Sequence, residues 1–485
     1  MANSIDVNIK MYRLGEVGDC FLLRFSDGVQ KTHVLIDCGT YSNSEKSIER
    51  LVNIATDIKD QLNGAPLDVV VCTHQHNDHI SGFYHAQKIF REIGVEKVWL
   101  PWLENPVDEA AAAFQDQQQH LIGLVARFQP VLQSVKSYDT DNSNHKNMLG
   151  KINAILQFYG IDPSASPVNG IPSNVLVGGM AFLRSAGKKG APDYLYPGDV
   201  LDLPGLPAGA VKVYVLGPPK VLESAKSTAS NQRLAMAIDQ SEYFLSSLAI
   251  GMNTKTGIID KEEDFPFREN EKIYIDQQYF KPDYIKNGFE ILKMITGTDA
   301  YQSYQDLGQQ WRTIDHDWIE QADDIALYLN ELTNNCSLVL AFELVASEKV
   351  LLFVGDAQTG SWRSWSGIQW PEGIPKDKTE HLLANTVVYK VGHHGSHNAT
   401  HKPVFEKMRH PELVAIIPVD QGDINITPKT NPWQIPAKNL YEEIKKQCAC
   451  KVLRMDDGVA KGCEGGNPVW ESGIIKTDLY ISVDC

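Results

Sequence analysis

Short apolar runs closed by glycine, aspartate or asparagine begin near the start of this chain, at Val7–Leu14, Cys20–Phe25 and Thr32–Ile36. Their length and β-branched content predict strands. Gly15-Glu16-Val17-Gly18-Asp19, between the first two, reads as a hairpin turn. Helical periodicity follows from Ser44 to Leu62, then a buried strand at Leu67–Cys72, a helix from His79 to about Gly94 and a strand at Lys97–Leu100. Strands interleaved with amphipathic helices predict an α/β layer architecture.

Residues 104–179 turn helical and polar, Gln115 to His120 being nearly featureless. A strand pair is expected at Met180–Ser185 and Val211–Leu216, before a second polar, helical stretch over 225–334 that contains Ala322–Leu329 at helical spacing. Both stretches read as insertions into one core. That core resumes with strands at Ser337–Val345, Val350–Val354, Val387–Val391, Leu413–Val419, Lys451–Met455 and Lys476–Val483, and a helix at Ala437–Gln447.

The chemistry concentrates where the Leu67–Cys72 strand ends, in Thr73-His74-Gln75-His76-Asn77-Asp78-His79. An extended backbone aims side chains two apart the same way, so His74 and His76 can share one metal ion. Asp78 and His79, adjacent at a helix start, point to a second position. Nitrogen and carboxylate ligands at this density suit zinc or manganese, and a loop leaves positions open for water. Two later strand ends add to the set. Val354-Gly355-Asp356 offers a carboxylate able to bridge two metals. Lys390-Val391-Gly392-His393-His394-Gly395-Ser396 offers adjacent histidines, of which one ligates while its neighbour faces substrate. Asp37, near the metal loop, reads either as a residue that orients a ligand histidine or as a turn aspartate.

Composition narrows the classes. At 485 residues and 43% hydrophobic the chain can bury a large core. No stretch approaches the ~20 apolar residues a membrane span needs, and the N-terminus shows no signal peptide, so a soluble, cytoplasmic protein is expected. The eight cysteines show no paired framework, and reduced, mostly buried thiols are expected. A net charge of −16 disfavours a broad nucleic-acid surface. It leaves room for a local strip between Lys390 and His410, where Lys402, Lys407 and Arg409 are opposed only by Glu406. Trp362, Trp365 and Trp370 read as packing residues, with base stacking as the alternative. His120 and His145 read as surface residues of an insertion.

Taken together, Gly15–Asp19 with Asp37-Cys38-Gly39, the His-x-His-x-Asp-His run, Asn335-Cys336-Ser337, Gly355-Asp356 and Lys390–Ser396 resemble the metallo-β-lactamase-fold hydrolases. Within that superfamily they are similar to the hydrolase domain of ComEC-type competence proteins and to phosphorylcholine esterases. The resemblance implies an αββα sandwich interrupted by the two insertions, with two divalent ions, Zn²⁺ or Mn²⁺, at one edge. By it, His74, His76 and Asp356 would hold one ion, and Asp78, His79, Asp356 and His394 the other. His393, helped by Ser396, would face the scissile phosphate. A further histidine that many members carry in a Gly-His-Thr context is absent, which leaves the first position to water or to an insertion side chain.

The function expected is hydrolysis by a dinuclear, metal-activated hydroxide. A phosphodiester of a nucleic acid or nucleotide is the expected substrate. The alternatives are a small-molecule phosphoesterase and a metal-binding module that meets a protein partner through its helical insertions.

Overall fold

The computed structural model of the chain describes residues 4–134, 143–161, 174–220, 317–423, 426, 433–456, 458–459 and 473–484. The expected insertion at 225–334 lies almost wholly outside them, as does the side chain of His145. The chain divides into two compact units, one of residues 1–123, 153–228 and 328–485, the other of 124–152 and 229–327. Both sheets and the candidate site belong to the first.

In the first sheet β1 (Asp6–Tyr12), β2 (Cys20–Ser26) and β3 (Lys31–Cys38) run antiparallel. From β3 onward β4 (Leu67–Val71), β5 (Val95–Pro101) and β6 (Asp193–Leu195) pair in parallel. The second sheet begins antiparallel with β7 (Val200–Asp202), β8 (Val211–Gly217), β9 (Val339–Leu344) and β10 (Lys349–Phe353). It continues in parallel through β11 (Thr386–Lys390), β12 (Val414–Ile417) and β13 (Val452–Arg454), with β14 (Gly458–Val459) at its edge. The terminal strands β15 (Ile475–Lys476) and β16 (Tyr480–Asp484) return to the first sheet beside β1, a turn dividing the run expected as one strand.

Eleven α-helices are described: α1 (Glu45–Leu62), α2 (Asn77–His85), α3 (Gln87–Ile93), α4 (Glu109–Ser134), α5 (Ser143–Phe158), α6 (Asn174–Ala186), α7 (Asp317–Asn335), α8 (Thr359–Ser364), α9 (Lys378–Ala384), α10 (Lys402–Phe405) and α11 (Lys438–Gln447). Helix α1 follows from local chemistry. Ser44 caps it by accepting from Ser47 N–H, Asn63 ends it in the left-handed conformation, and Leu51, Ile54, Ala55, Ile58 and Leu62 bury one face.

The sheets pack face to face through Phe21 of β2 on Phe353 of β10 (ring centroids 5.5 Å) and Phe25 of β2 on Phe342 of β9 (5.6 Å). This is the αββα sandwich that the sequence led us to expect. Parallel strands β3, β4, β10, β11 and β12 end at one rim, the location at which open α/β sheets place ligands.

Three local expectations are corrected. Met180–Ser185 is helical, the end of α6, because a short apolar run carries no period of its own. Gly178 and Gly179 let α6 lie on α2: a Cβ there would come within 2.4 Å of the Tyr84 ring and 2.5 Å of Ile80. The single helix expected from His79 to Gly94 starts at Asn77 and breaks at Ala86 into α2 and α3. Cys20, Cys38, Cys72, Cys336 and Cys448 are buried free thiols, but Cys450 is disulfide-bonded, so the cysteines are not uniformly reduced. Among the described residues no helix is long and apolar enough to cross a membrane. Trp362 and Trp365 are buried and stacked on each other at 4.3 Å, which makes them packing residues.

Two outcomes test this core. Phe25→Ala lowers the unfolding free energy by about 3–5 kcal/mol in urea titration; a loss near zero would remove Phe25 from the inter-sheet contact. Burial, with Arg24 and Lys31 nearby, lowers the pKa of His33 to about 4. The unfolded chain therefore takes up its proton first, so stability falls as pH drops from about 6.5 to about 4. His33→Asn flattens that part of the stability curve.

Candidate metal centre

Each strand that ends at the rim delivers one piece. Gly355 follows β10 with φ +52°, and a Cβ on it would lie 2.9 Å from Ser337 and Thr73. Glycine is thus required for Asp356 to approach the histidine loop. Beyond β11, His393 (φ 41°) and His394 (φ 51°) are both left-handed, a costly backbone that the surrounding structure must hold in place.

Hydrogen bonds set the ring tautomers. Asp37, at the end of β3, accepts from Thr73 N–H (2.7 Å) and Thr73 Oγ1–H (2.7 Å), and its Oδ2 lies 2.8 Å from His79 Nδ1. Thr73 has spent its proton on Asp37, so its oxygen accepts at 3.1 Å from His74 Nδ1. Ser337 Oγ, which accepts from Asp356 N–H at 2.9 Å, lies 3.2 Å from the same nitrogen. His394 Nδ1 is 2.9 Å from the Pro418 carbonyl, which can only accept. His74, His79 and His394 therefore all carry a proton on Nδ1 and turn Nε2 inward, where a cation would replace any proton that the carboxylates hold on His79 and His394.

Those atoms converge in two groups. His79 Nε2 lies 3.3 Å from Asp356 Oδ2 and 3.7 Å from Asp78 Oδ2; His394 Nε2 lies 3.0 Å from Asp78 Oδ2 and 3.5 Å from Asp356 Oδ2. Tetrahedral ligands on bonds of ~2.0–2.1 Å stand ~3.3–3.4 Å apart, so these four atoms match one metal position. Asp78 Oδ1 and His79 Nε2 are buried and make no hydrogen bond, which a bound cation would remedy. The second group is smaller: His74 Nε2 and His76 Nδ1, 3.1 Å apart.

Asp19 and Lys390 complete the interior. Asp19 is close enough to His79, Asp356 and His394 to be grouped with them as a ligand. Its contacts, however, are to the Nδ1 sides of His79 (3.8 Å) and His394 (3.7 Å), away from Nε2. Asp19 thus backs the histidines, and Asp78 is the candidate ligand on their Nε2 side. Lys390 Nζ is ion-paired with Asp19, lies 3.3 Å from Asp356 Oδ1, and donates to Gly355 O at 2.7 Å.

Four buried carboxylates (Asp19, Asp37, Asp78, Asp356) thus face one ammonium. Burial alone would lower the pKa of His79 and His394, but the carboxylates, Asp356 foremost, outweigh it and raise both. Burial would raise Asp356, yet His79, His394 and Lys390 hold it well below the usual carboxylate range. Burial keeps His74 neutral, with a pKa well below its ordinary value, and lowers His76 to about 3. An excess of buried negative charge around these nitrogens fits a divalent cation.

His393 stands apart. Half-buried, it is the most solvent-accessible histidine of the cluster. His393 Nδ1 lies between Ser396 Oγ (2.7 Å) and the Gln358 amide nitrogen (3.0 Å), Ser396 Oγ donates to Asn398 Oδ1 (2.8 Å), and Asn334 Nδ2 lies 3.3 Å from His393 Nε2. Burial lowers the pKa of His393 to about 4.

The structure therefore brings together His74, His76, Asp78, His79, Asp356, His393, His394 and Ser396, all read from sequence. Asp19 and Lys390 were not singled out there. A lysine closing the apolar run Thr386-Val387-Val388-Tyr389 was the available signal, since lysine is seldom buried unpaired. The insertion brings aromatic rings to the first position where a ligand was sought: Phe158 and Tyr159 lie 5.4 and 5.0 Å from the His76 ring. The expected positive strip is only partly paired: exposed Arg409 donates to the Glu406 carbonyl and not to a carboxylate. Lys402 meets Glu443 (3.4 Å) and Glu406 (3.9 Å), Lys407 meets Glu380 (2.7 Å), and Lys390 is buried.

Residues 14–141 match the model of the metallo-beta-lactamase superfamily, a generally hydrolytic and metal-dependent group. The two-sheet fold is consistent with that match. No curated protein matches the chain.

Asp37→Asn tests the ring-orienting network. Calorimetric Zn²⁺ affinity is expected to drop about 10–100-fold while circular dichroism is retained. Unchanged affinity in a folded variant would release Asp37 from that role.

Proposed function

We propose that this protein is a metal-dependent phosphodiesterase acting on compact phosphodiesters. The observation that carries the reading is the set of converging ligand atoms from His79, Asp78, His394 and Asp356 beside a reachable, neutral His393. Divalent ions bound there would supply the charge that brings the pKa of water near neutrality and neutralises oxygens in an in-line displacement. His74, His76 and Asp356 are the proposed holders of one ion; Asp78, His79, Asp356 and His394 hold the other.

The protein's own groups handle protons and orientation. His393 takes up and returns a proton on its ring, which Ser396 and Gln358 hold in place at Nδ1. Its depressed pKa keeps it unprotonated at neutral pH and so able to accept. Asp37, Thr73 and Ser337 fix the rings that face the ions, and Lys390 holds Asp19 and Asp356.

Charge favours a diester over a monoester. Lys390 is the sole lysine or arginine in the described site, and Asp19 and Asp356 already engage it. Among the described residues of the site, no side-chain cation is left to take the second charge of a phosphate monoester. The ion pairs of Lys402 and Lys407 likewise favour a compact substrate over a polynucleotide, which needs a track of unpaired cations.

With Mn²⁺ or Zn²⁺ restored to chelator-stripped protein, bis-p-nitrophenyl phosphate should turn over at least about tenfold faster in kcat/KM than p-nitrophenyl phosphate, a difference of about 1.4 kcal/mol. His393→Gln should lower kcat by about 10²–10⁴ with metal content unchanged. Faster monoester cleavage overturns the diester assignment. Bound metal with no turnover would point to a binding module, and rapid cleavage of DNA or RNA to a nuclease.

A further inference from the structure

We infer that the asparagine pair closing α7, Asn334 and Asn335, positions His393: Asn334 sets its Nε2 side directly, and Asn335 sets its Nδ1 side through Gln358. This rests on the reading above, in which His393 moves a proton, and adds the residues that aim its ring.

His393 sits on a left-handed backbone (φ 41°), which a residue other than glycine adopts only under constraint. That backbone alone leaves the ring free to turn about its side-chain bonds. Contacts at both nitrogens stop the turn. Asn334 Nδ2 lies 3.3 Å from Nε2, while Gln358 Nε2 and Ser396 Oγ lie 3.0 and 2.7 Å from Nδ1.

Gln358 owes its place to Asn335. Asn335 Oδ1 accepts from Gln358 N–H (3.2 Å) and Ser361 N–H (3.0 Å), and Asn335 Nδ2 donates to Glu331 O (3.0 Å). The start of α8 is thereby tied to the last turn of α7. That turn is itself anchored: Thr333 Oγ1 accepts from Gln118 Nε2 (2.7 Å) and lies 2.6 Å from Tyr159 Oη. Just beyond it, Ser337 Oγ accepts from Asp356 N–H (2.9 Å) and Leu338 N–H donates to Thr73 O (2.9 Å). One short segment, Asn334–Leu338, therefore sets His393 against the loops that carry His74 and Asp356.

Carboxamides suit both contacts for a chemical reason. An amide can turn N–H toward a bare ring nitrogen or its oxygen toward a protonated one, whereas a carboxylate only accepts and an ammonium only donates. Asn334 and Gln358 can thus hold the ring in one place whichever nitrogen carries the proton. Asn334 is fully buried, yet its Oδ1 has no hydrogen-bond partner among the described residues. An amide serving the core alone would have both ends bonded, as Asn335 has.

A double-mutant cycle on the Mn²⁺-loaded protein, with bis-p-nitrophenyl phosphate as substrate, tests this. Asn334→Ala is expected to lower kcat about 10- to 100-fold, with KM and metal content unchanged. Added to His393→Gln it should lower kcat no further, because the two residues act as a unit. A second readout needs neither metal nor turnover. In chelator-stripped protein, diethyl pyrocarbonate should modify His393 about two- to tenfold faster in Asn334→Ala, which frees a hydrogen-bonded ring nitrogen, with exposed His397 unchanged as the reference. Should Asn334→Ala fail to fold, Gln358→Ala and Asn335→Ala carry both readouts. An additive loss in the cycle, or an unchanged rate at His393, overturns the inference and leaves the diesterase reading standing. A metal-loaded, unmodified protein without turnover would overturn that reading instead, and the modification rates alone would then decide the inference.

Discussion

A buried surplus of negative charge at the rim of the sandwich is the constraint around which this structure is organised. Asp19, Asp37, Asp78 and Asp356 are almost fully withdrawn from water, and the one ammonium among them is Lys390. Unpaired carboxylates are costly in such surroundings, and the chain answers with directed hydrogen bonds, with one lysine and with imidazoles whose pKa is raised. What remains uncompensated lies around Nε2 of His79 and His394, where a cation can take the place of a proton. The same surplus that strains the folded state in isolation makes the rim a cation site.

The fold makes that arrangement possible. Parallel pairing in both sheets ends β3, β4, β10, β11 and β12 on one side, so residues more than three hundred positions apart, such as Asp78 and His394, come within 3.0 Å. The aromatic contacts of Phe21 and Phe25 across the sheets hold the two halves of the centre in register. Glycine at 355 and left-handed histidines at 393 and 394 spend local stability on orientation, the usual location of strain at a working site.

Asymmetry runs through the chemistry. One side of the centre is rich in oxygen and nitrogen and backed by fixed bonds; the other has two imidazoles walled by Phe158 and Tyr159. Surface lysines that a linear reading offers to a polyanion are instead paired with Glu380, Glu406 and Glu443. That pairing favours a small substrate over a polymer.

By itself, the sequence determined the local pieces. Strand ends carrying His74, His76, Asp78 and His79, the Gly355-Asp356 turn and the His393-His394 loop were legible because periodicity and ligand spacing are properties of neighbouring residues. The α/β class followed from the same patterns. Tertiary structure decided what depends on distance through space. It showed that Met180–Ser185 is helical because α6 must lie on α2, that Lys402 and Lys407 are neutralised by remote glutamates, and that Cys450 is cross-linked. It also placed Asp19 behind the histidines and Lys390 between two carboxylates. Electrostatic partners across a folded core leave no period in the chain, because Coulomb's law depends on separation in space and not on order along the backbone.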